Sequence, residues 1–427
     1  MDKIPTGKLS RIGVYGSMAT KVGYNTLKSK LSNTTQKELD AKNSKVIFNA
    51  LTKLRGTALK FAQLLSIEDM LLTKEYKEQL QKSAYRVRPL NRSIVRKTIK
   101  NELNSYPEEL FSDFDTQAFA AASLGQVHRA EDSEGNQLAI KMQYPGIDET
   151  LKHDMNMIKM AYALIPHSPL FDNMLEEVEV ILSKEVNYEL EAASITWFTK
   201  KMRHLDIVIP KVYPQYSTEK LLAMEYLEGE HLDTWLETNP SQKVRNRVAQ
   251  KLFDLYCYSF FELKTFQADS NIGNYLFMED EQIAFLDFGC IKEVPDTFPC
   301  AMIDLVDASI AKDKEGILNA YLSLGMLTGK NDKAFKKYYE EVFVPYSEWT
   351  AAPYEEETFH FSMEKDFAAS AMGANHIMAR ANEFKVQRSD YVFFSRGLYG
   401  LYKIFEQMDV TIKLKSRLEK YRCEKKV

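Results

Sequence analysis

Over most of the first 115 residues, apolar positions recur with the period of a helix. Between 45 and 67, Val46, Ile47, Ala50, Leu51, Leu54, Ala58, Leu59, Phe61, Ala62, Leu64 and Leu65 form one wide apolar face, which predicts a helix. Further helices are predicted near 73–83 and 91–103, separated at Pro89, with Pro107 closing the segment. Nearer the start, Leu9, Ile12, Tyr15, Gly16, Ala19, Val22 and Gly23 also recur at helical spacing.

The period changes at Phe119. Residues 118–130 read as strand, small-residue turn, strand. A polar turn around Gly135 then leads to a strand over 137–143, where Leu138, Ile140 and Met142 take one face and Ala139 and Lys141 the other. Tyr144-Pro145-Gly146 stops it. One helix is predicted near 149–164 and a long acidic one over 171–201. Glu185 and Glu191 lie six apart on the latter; at 100° per residue they point about 120° apart and should serve different partners. Strands follow at 207–213 and 220–226, then one or two helices over 242–266. A hairpin pairs 275–278 with 282–286, and helices are predicted at 298–312, 314–324, 331–341, 361–381 and 391–419. The fold class is α+β: a helical extension (1–115), a mainly β lobe (116–228) and a mainly helical lobe (229–427), an arrangement that can hold a nucleotide in a cleft between lobes.

Composition narrows the class. The 427 residues are 45% hydrophobic and 27% charged, as in a globular chain. A net charge of −4 gives no global field for nucleic acid. Cys257, Cys290, Cys300 and Cys423 are scattered and form no CxxC pair, which argues against a zinc ribbon and a disulfide framework and for a reducing compartment. No apolar run reaches the roughly 20 residues of a membrane span, and no signal-peptide core opens the chain; a cytoplasmic place, peripheral to the inner membrane, is expected. No acid stands between Asp2 and Glu38, while Lys3, Lys8, Arg11, Lys21, Lys28, Lys30 and Lys37 are basic. A basic amphipathic helix there would suit an anionic membrane surface, or simply pack on the domain behind it.

The chemistry is carried by an ordered series. Phosphoryl transfer needs a small-residue loop, a cation on the phosphates, a carboxylate fixing that cation, metal ligands and a residue orienting the nucleophile. Residues 120–125 supply small residues at a hairpin turn. Lys141 follows Ala139 as in a Val-Ala-Ile-Lys strand, the Ala leaving room for a base. Glu185 or Glu191 can pair with Lys141. Asp269 and Asn274 are five apart, fitting an Asp-x-x-x-x-Asn loop, and Asp287-Phe288-Gly289 follows across a hairpin. Each piece alone is commonplace, a surface lysine or turn residues; the order of spacings and elements is the signal.

From about residue 5 to 407 the chain resembles the UbiB-type (aarF-domain) atypical protein-kinase-like family. Lys60-Phe61-Ala62-Gln63 resembles its Lys-x-Gly-Gln motif. Ala120-Ala121-Ala122-Ser123-Leu124-Gly125-Gln126-Val127-His128 matches its Ala-rich loop, and Gln143-Tyr144-Pro145-Gly146 its continuation of the lysine strand. The resemblance implies a two-lobed kinase-like fold that uses ATP and Mg²⁺. Ala120, Ala121, Ala122, Ser123, Gly125, Val127 and Ala139 would line the nucleotide, with Met224, Glu225, Tyr226 and Leu227 as the hinge. Lys141 would contact the α and β phosphates, paired with Glu191. Asp269 would be the catalytic-loop carboxylate, and Asn274 and Asp287 would hold Mg²⁺. Lys60, Gln63 and Glu185 would belong to an extension lying over the site, which disfavours phosphorylating proteins in trans. Lipid or quinone precursors and quinone-biosynthesis proteins are the implied partners. Three positions depart from the family: Ala62 for Gly, Asn187 for the Asp of Glu-x-Asp, and Ser270 for Pro. The readings in competition are an active ATPase or kinase supporting ubiquinone biosynthesis, a nucleotide-binding pseudokinase scaffold, and a small-molecule phosphotransferase.

Overall fold

The computed structural model describes residues 8–30, 42–43, 46, 49–50, 60, 90–122, 124–162, 169–269, 271–330, 332–370 and 388–422. Most of the predicted 45–67 helix, all of the 73–83 helix, and Ala62, Gln63, Ser123 and Ser270 lie outside them. The chain divides into two compact units: 1–166 with 178–193 and 211–226, and 167–177 with 194–210 and 227–427.

In the first unit, α1 (Lys8–Lys30) buries Tyr15, Met18 and Val22 and leaves Ile12, Tyr24 and Leu27 exposed. Its packed face is therefore rotated from the one expected, because Ile12 points to solvent. α2 (Arg92–Leu103) starts where Asn91 accepts the Ile94 amide at 2.9 Å, buries Val95 and Ile99, and ends on left-handed Asn104. The short α3 (Pro107–Leu110) leads into a five-stranded antiparallel sheet: β1 (Asp113–Phe114), β2 (Ala120–Ala122), β3 (Gly125–Glu131), β4 (Gln137–Gln143) and β6 (Leu221–Glu225). β4 is paired on both sides and buried after its first residue, so Lys141 and Gln143 are buried along with Leu138, Ile140 and Met142. Gly125 is dictated by packing: a Cβ there would lie 2.1 Å from the Met142 carbonyl oxygen. α4 (Ile147–Tyr162) follows β4.

The acidic segment is two helices, α5 (Pro169–Glu185) and α6 (Tyr188–Lys201). The break has a local cause. The Asn187 side chain accepts the amides of Glu189 (3.0 Å) and Leu190 (3.1 Å), capping α6. The 120° argument for Glu185 and Glu191 therefore fails, since they stand on different helices.

In the second unit, β5 (Ile207–Val208) runs parallel to β9 (Ile283–Phe285), which pairs antiparallel with β8 (Tyr275–Phe277) in the expected hairpin. After α7 (Leu232–Glu237), α8 (Gln242–Cys257) starts at its Ser241 cap and loosens into a π turn, Tyr258–Glu262. The chain then enters β7 (Thr265–Gln267), whose first two residues fall at the end of the expected 242–266 helix, and β7 pairs with β10 (Ile291–Glu293). Helices α9 (Phe298–Ile310), α10 (Lys314–Ser323), α11 (Lys333–Tyr338) and α12 (Val344–Ala351) follow.

The expected 361–381 helix does not begin at Phe361, which ends β11 (Thr358–Phe361). Nor is 391–419 continuous: α13 (Asp390–Met408) stops at left-handed Asp409, and β12 (Val410–Lys413) returns to pair with β11 before α14 (Lys415–Glu419). The core here is aromatic, with Phe260 and Phe394 4.4 Å apart between ring centroids and Phe266 and Phe298 against them. Cys257 and Cys290 are buried free thiols. Cys300 is disulfide-bonded, so the scattered spacing of cysteines did not exclude a cross-link. No described helix is long and apolar enough to cross a membrane.

Candidate nucleotide and metal site

The first unit builds a phosphate-type cation. β4 places Lys141 opposite Val127 on β3 and Leu222 on β6. Its Nζ donates to both oxygens of Glu191, at 2.7 and 2.9 Å, and sits 5.1 Å from the Tyr188 ring centroid. Glu191 is 1% exposed and Lys141 8%, so the charges are removed from water and depend on each other. Losing one member of such a pair typically costs about 3–5 kcal/mol. α6 carries Glu191 and is held by backbone contacts that the sequence reading missed. The Tyr188 amide donates to the Glu219 carbonyl (2.9 Å), and Gln143 Nε2 donates to the carbonyls of Val186 (2.7 Å) and Glu219 (3.2 Å). A glutamine at a core position of a buried strand was the available signal.

Beside Lys141 on the same sheet, Ala139 faces Arg129 on one side and Met224 on the other. The hinge candidates follow: Met224 is buried, Glu225 accepts the Lys211 amide at 3.2 Å, and the Tyr226 amide donates to the Gln137 carbonyl at 2.9 Å, with Leu227 next. The Ala-rich segment is mostly strand rather than loop. Ala120, Ala121 and Ala122 pair with Val127, Gln126 and Gly125. Under it, His128 is fully buried. Its Nδ1 lies 2.9 Å from the Asp115 carbonyl and its Nε2 2.8 Å from Gln126 Nε2. Desolvation lowers the imidazole pKa, outweighing the opposing Asp115 carbonyl.

A second buried ion pair stands apart from the first. Lys60 Nζ lies 3.2 Å from Glu185 Oε1, both about 4% exposed. The two glutamates do serve different lysines, because the helix break redirects them.

The second unit gathers the carboxylates. Tyr275 pairs with Phe285, so Asn274 and Asp287 flank the same end of the β8–β9 hairpin. The Leu286 amide donates to the Asn274 carbonyl at 2.9 Å. Asn274 Nδ2 donates to the Asp269 carbonyl at 3.3 Å, which turns the amide oxygen the other way. Asp287 Oδ1 accepts the Gly289 amide at 2.8 Å, and its carbonyl accepts Gln267 Nε2 at 2.9 Å. Phe288 is buried against Phe198 and Phe285. Desolvation, with the Asp269 charge adding to it, pushes the Tyr275 phenol well above its ordinary value. Among the described residues no group of three or more His, Cys, Asp or Glu side chains forms a metal cage. A carboxylate plus an amide oxygen fits Mg²⁺ in the way that ion binds phosphates, through one or two protein ligands with the rest from nucleotide and water.

A five-stranded sheet bearing a buried Lys–Glu pair, together with a helical unit bearing an Asp-x-x-x-x-Asn loop and an Asp-Phe-Gly hairpin end, defines a protein-kinase-like protein of atypical type. The chain belongs to the ABC1 atypical kinase-like family, whose domain model matches residues 81–321. It is 30% identical over 349 residues to "Atypical kinase COQ8, mitochondrial" of Saccharomyces cerevisiae, covering 78% of this chain and 69% of the relative. It is also 30% identical to "Atypical kinase COQ8B, mitochondrial" of Danio rerio, over 79% of this chain and 57% of that one. A solved structure of the Mycobacterium tuberculosis protein Rv3197 in complex with erythromycin superposes with a TM-score of 0.60, covering 90% of this chain and 96% of that one at 23% identity. That likeness bears on the fold alone.

Proposed function

We propose that the protein is a Mg²⁺-dependent kinase-like enzyme that uses ATP in support of isoprenoid-quinone biosynthesis. The observation that carries this reading is the Lys141–Glu191 pair, buried and bidentate. A lysine so fixed is ready to meet phosphate oxygens, and a surface lysine is not. In this reading Lys141 binds the α and β phosphates, and Ala120, Ala121, Ala122, Ser123, Gly125 and Val127 cover the nucleotide. Ala139 with Met224, Glu225, Tyr226 and Leu227 surrounds the base. Asn274 and Asp287 hold Mg²⁺, which neutralises phosphate charge when bound, and Asp269 orients the attacking oxygen. Lys60, Gln63 and Glu185 belong to an extension that governs access to the nucleotide. The division into an extension to about 115, an N-lobe to about 228 and a C-lobe is part of the proposal.

The quinone assignment leans on the names of the relatives. Peripheral attachment to an anionic membrane surface leans on α1, where Ile12, Tyr24 and Leu27 are exposed beside exposed Lys21 and Lys28. The test is ATP hydrolysis by wild type and Asp269→Asn, with Mg²⁺ and with anionic or neutral vesicles. Turnover that needs Mg²⁺ and Asp269 is expected. Binding of nucleotide, read as thermal stabilisation without turnover, would point instead to the scaffold.

A further inference from the structure

Lys292 is a buried lysine that no step above uses. It stands on β10, five residues after Asp287, and is 8% exposed. Its Nζ lies 2.5 Å from Glu177 Oε1 and 3.0 Å from Asp390 Oδ1, and 5.6 Å from the Phe393 ring centroid. Asp390 is itself held by Arg388, Nε to Oδ2 at 2.6 Å. One ammonium thus ties a strand to two helices, α5 through Glu177 and α13 through Asp390. A buried lysine of this kind costs desolvation and holds its place only while both carboxylates remain.

What β10 touches gives the tie its meaning. Ile291 pairs with Gln267, Lys292 with Phe266 and Glu293 with Thr265. The Ala268 amide donates to the Cys290 carbonyl at 2.9 Å, and Gln267 Nε2 to the Asp287 carbonyl at 2.9 Å. The β7–β10 ribbon therefore carries Asp269 just beyond one strand and Asp287 just before the other. A shift of β10 moves both carboxylates.

We propose that Lys292 is a positioning residue that sets the Asp269 and Asp287 loops. This rests on the reading of Asp287 and Asn274 as Mg²⁺ ligands. Geometry at a metal ligand is unforgiving, so a loosened ribbon weakens Mg²⁺ more than it weakens the nucleotide itself.

The experiment uses the full chain and ADP as probe, by calorimetric titration across a range of Mg²⁺ and in chelator. Glu177→Gln cuts the α5 arm at a partner that is 29% exposed, so it keeps the fold even if Lys292→Met does not. Both variants should raise the Mg²⁺ concentration for half-maximal ADP binding about fivefold or more. Both should leave ADP affinity in chelator within about twofold. Lys292→Arg should restore most of the loss. Glu177→Gln with a wild-type Mg²⁺ requirement overturns the positioning role. A wild-type protein whose ADP binding ignores Mg²⁺ overturns the metal reading and this inference with it.

Discussion

In the proposed function Lys141 and Glu191 are the residues on which the chemistry turns, and their burial makes them separable from ordinary surface charges. Lys141→Met leaves Glu191 buried without its bidentate donor. We expect loss of ATP-dependent stabilisation and a stability drop of about 3–5 kcal/mol, read in a denaturant titration. Gly125→Ala is a backbone test. Its new Cβ would sit 2.1 Å from the Met142 carbonyl oxygen, and no side-chain rotation relieves that contact. A loss of about 1–3 kcal/mol is expected. His128 supplies a pH signature. Burial lowers its folded-state pKa below the ordinary 6.5. Its contribution is full above that value and shrinks as the pH falls through it, because the unfolded chain takes up the proton first. Between pH 7.5 and 5.5 the wild-type melting temperature should fall more steeply than that of His128→Gln; parallel curves would assign the acid sensitivity elsewhere.

Among the elements, the α5–α6 break is the most informative. Asn187 replaces the Asp of the family motif yet caps α6 through its side-chain oxygen, so the departure costs a charge and keeps the cap. Asn187→Ala should lower stability by about 1 kcal/mol, while Asn187→Asp should hold or raise it, since an acid also suits a helix N-terminus. Thermal melts of the two variants separate these outcomes. The strand over 137–143 and the hairpin after Asn274 were legible because alternation and turn residues agree locally there. The β7–β10 and β11–β12 ribbons were not legible. Thr265-Phe266-Gln267 and Val410-Thr411-Ile412-Lys413 are too short to show a period, and their partners lie 24 or more residues away in sequence. The join inside 171–201 was missed because a capping Asn in an otherwise helical stretch looks like any polar position.

On the scale of the whole molecule, the order of motifs carried the family and the fold, while the ties that hold those motifs were hidden. Lys141, Asp269, Asn274 and Asp287 could be picked out by spacing, Glu191 was chosen over Glu185 only through the family resemblance, and Gln143 stood in the Gln-Tyr-Pro-Gly match without its role. Tyr188 and Lys292 could not be picked out, because they act on partners dozens of residues distant. The first unit holds the buried Lys141–Glu191 pair, and the second holds Asn274 and Asp287 at one hairpin end. The central claim of the proposal is that the protein hydrolyses ATP with Mg²⁺ held at Asp287. The most direct measurement is ATP turnover by wild type and Asp287→Asn at saturating Mg²⁺, with and without anionic vesicles. The account predicts Mg²⁺-dependent hydrolysis by the wild type and a loss of about a hundredfold or more in the variant. Equal turnover by the two proteins, or none by either under both conditions, would contradict it.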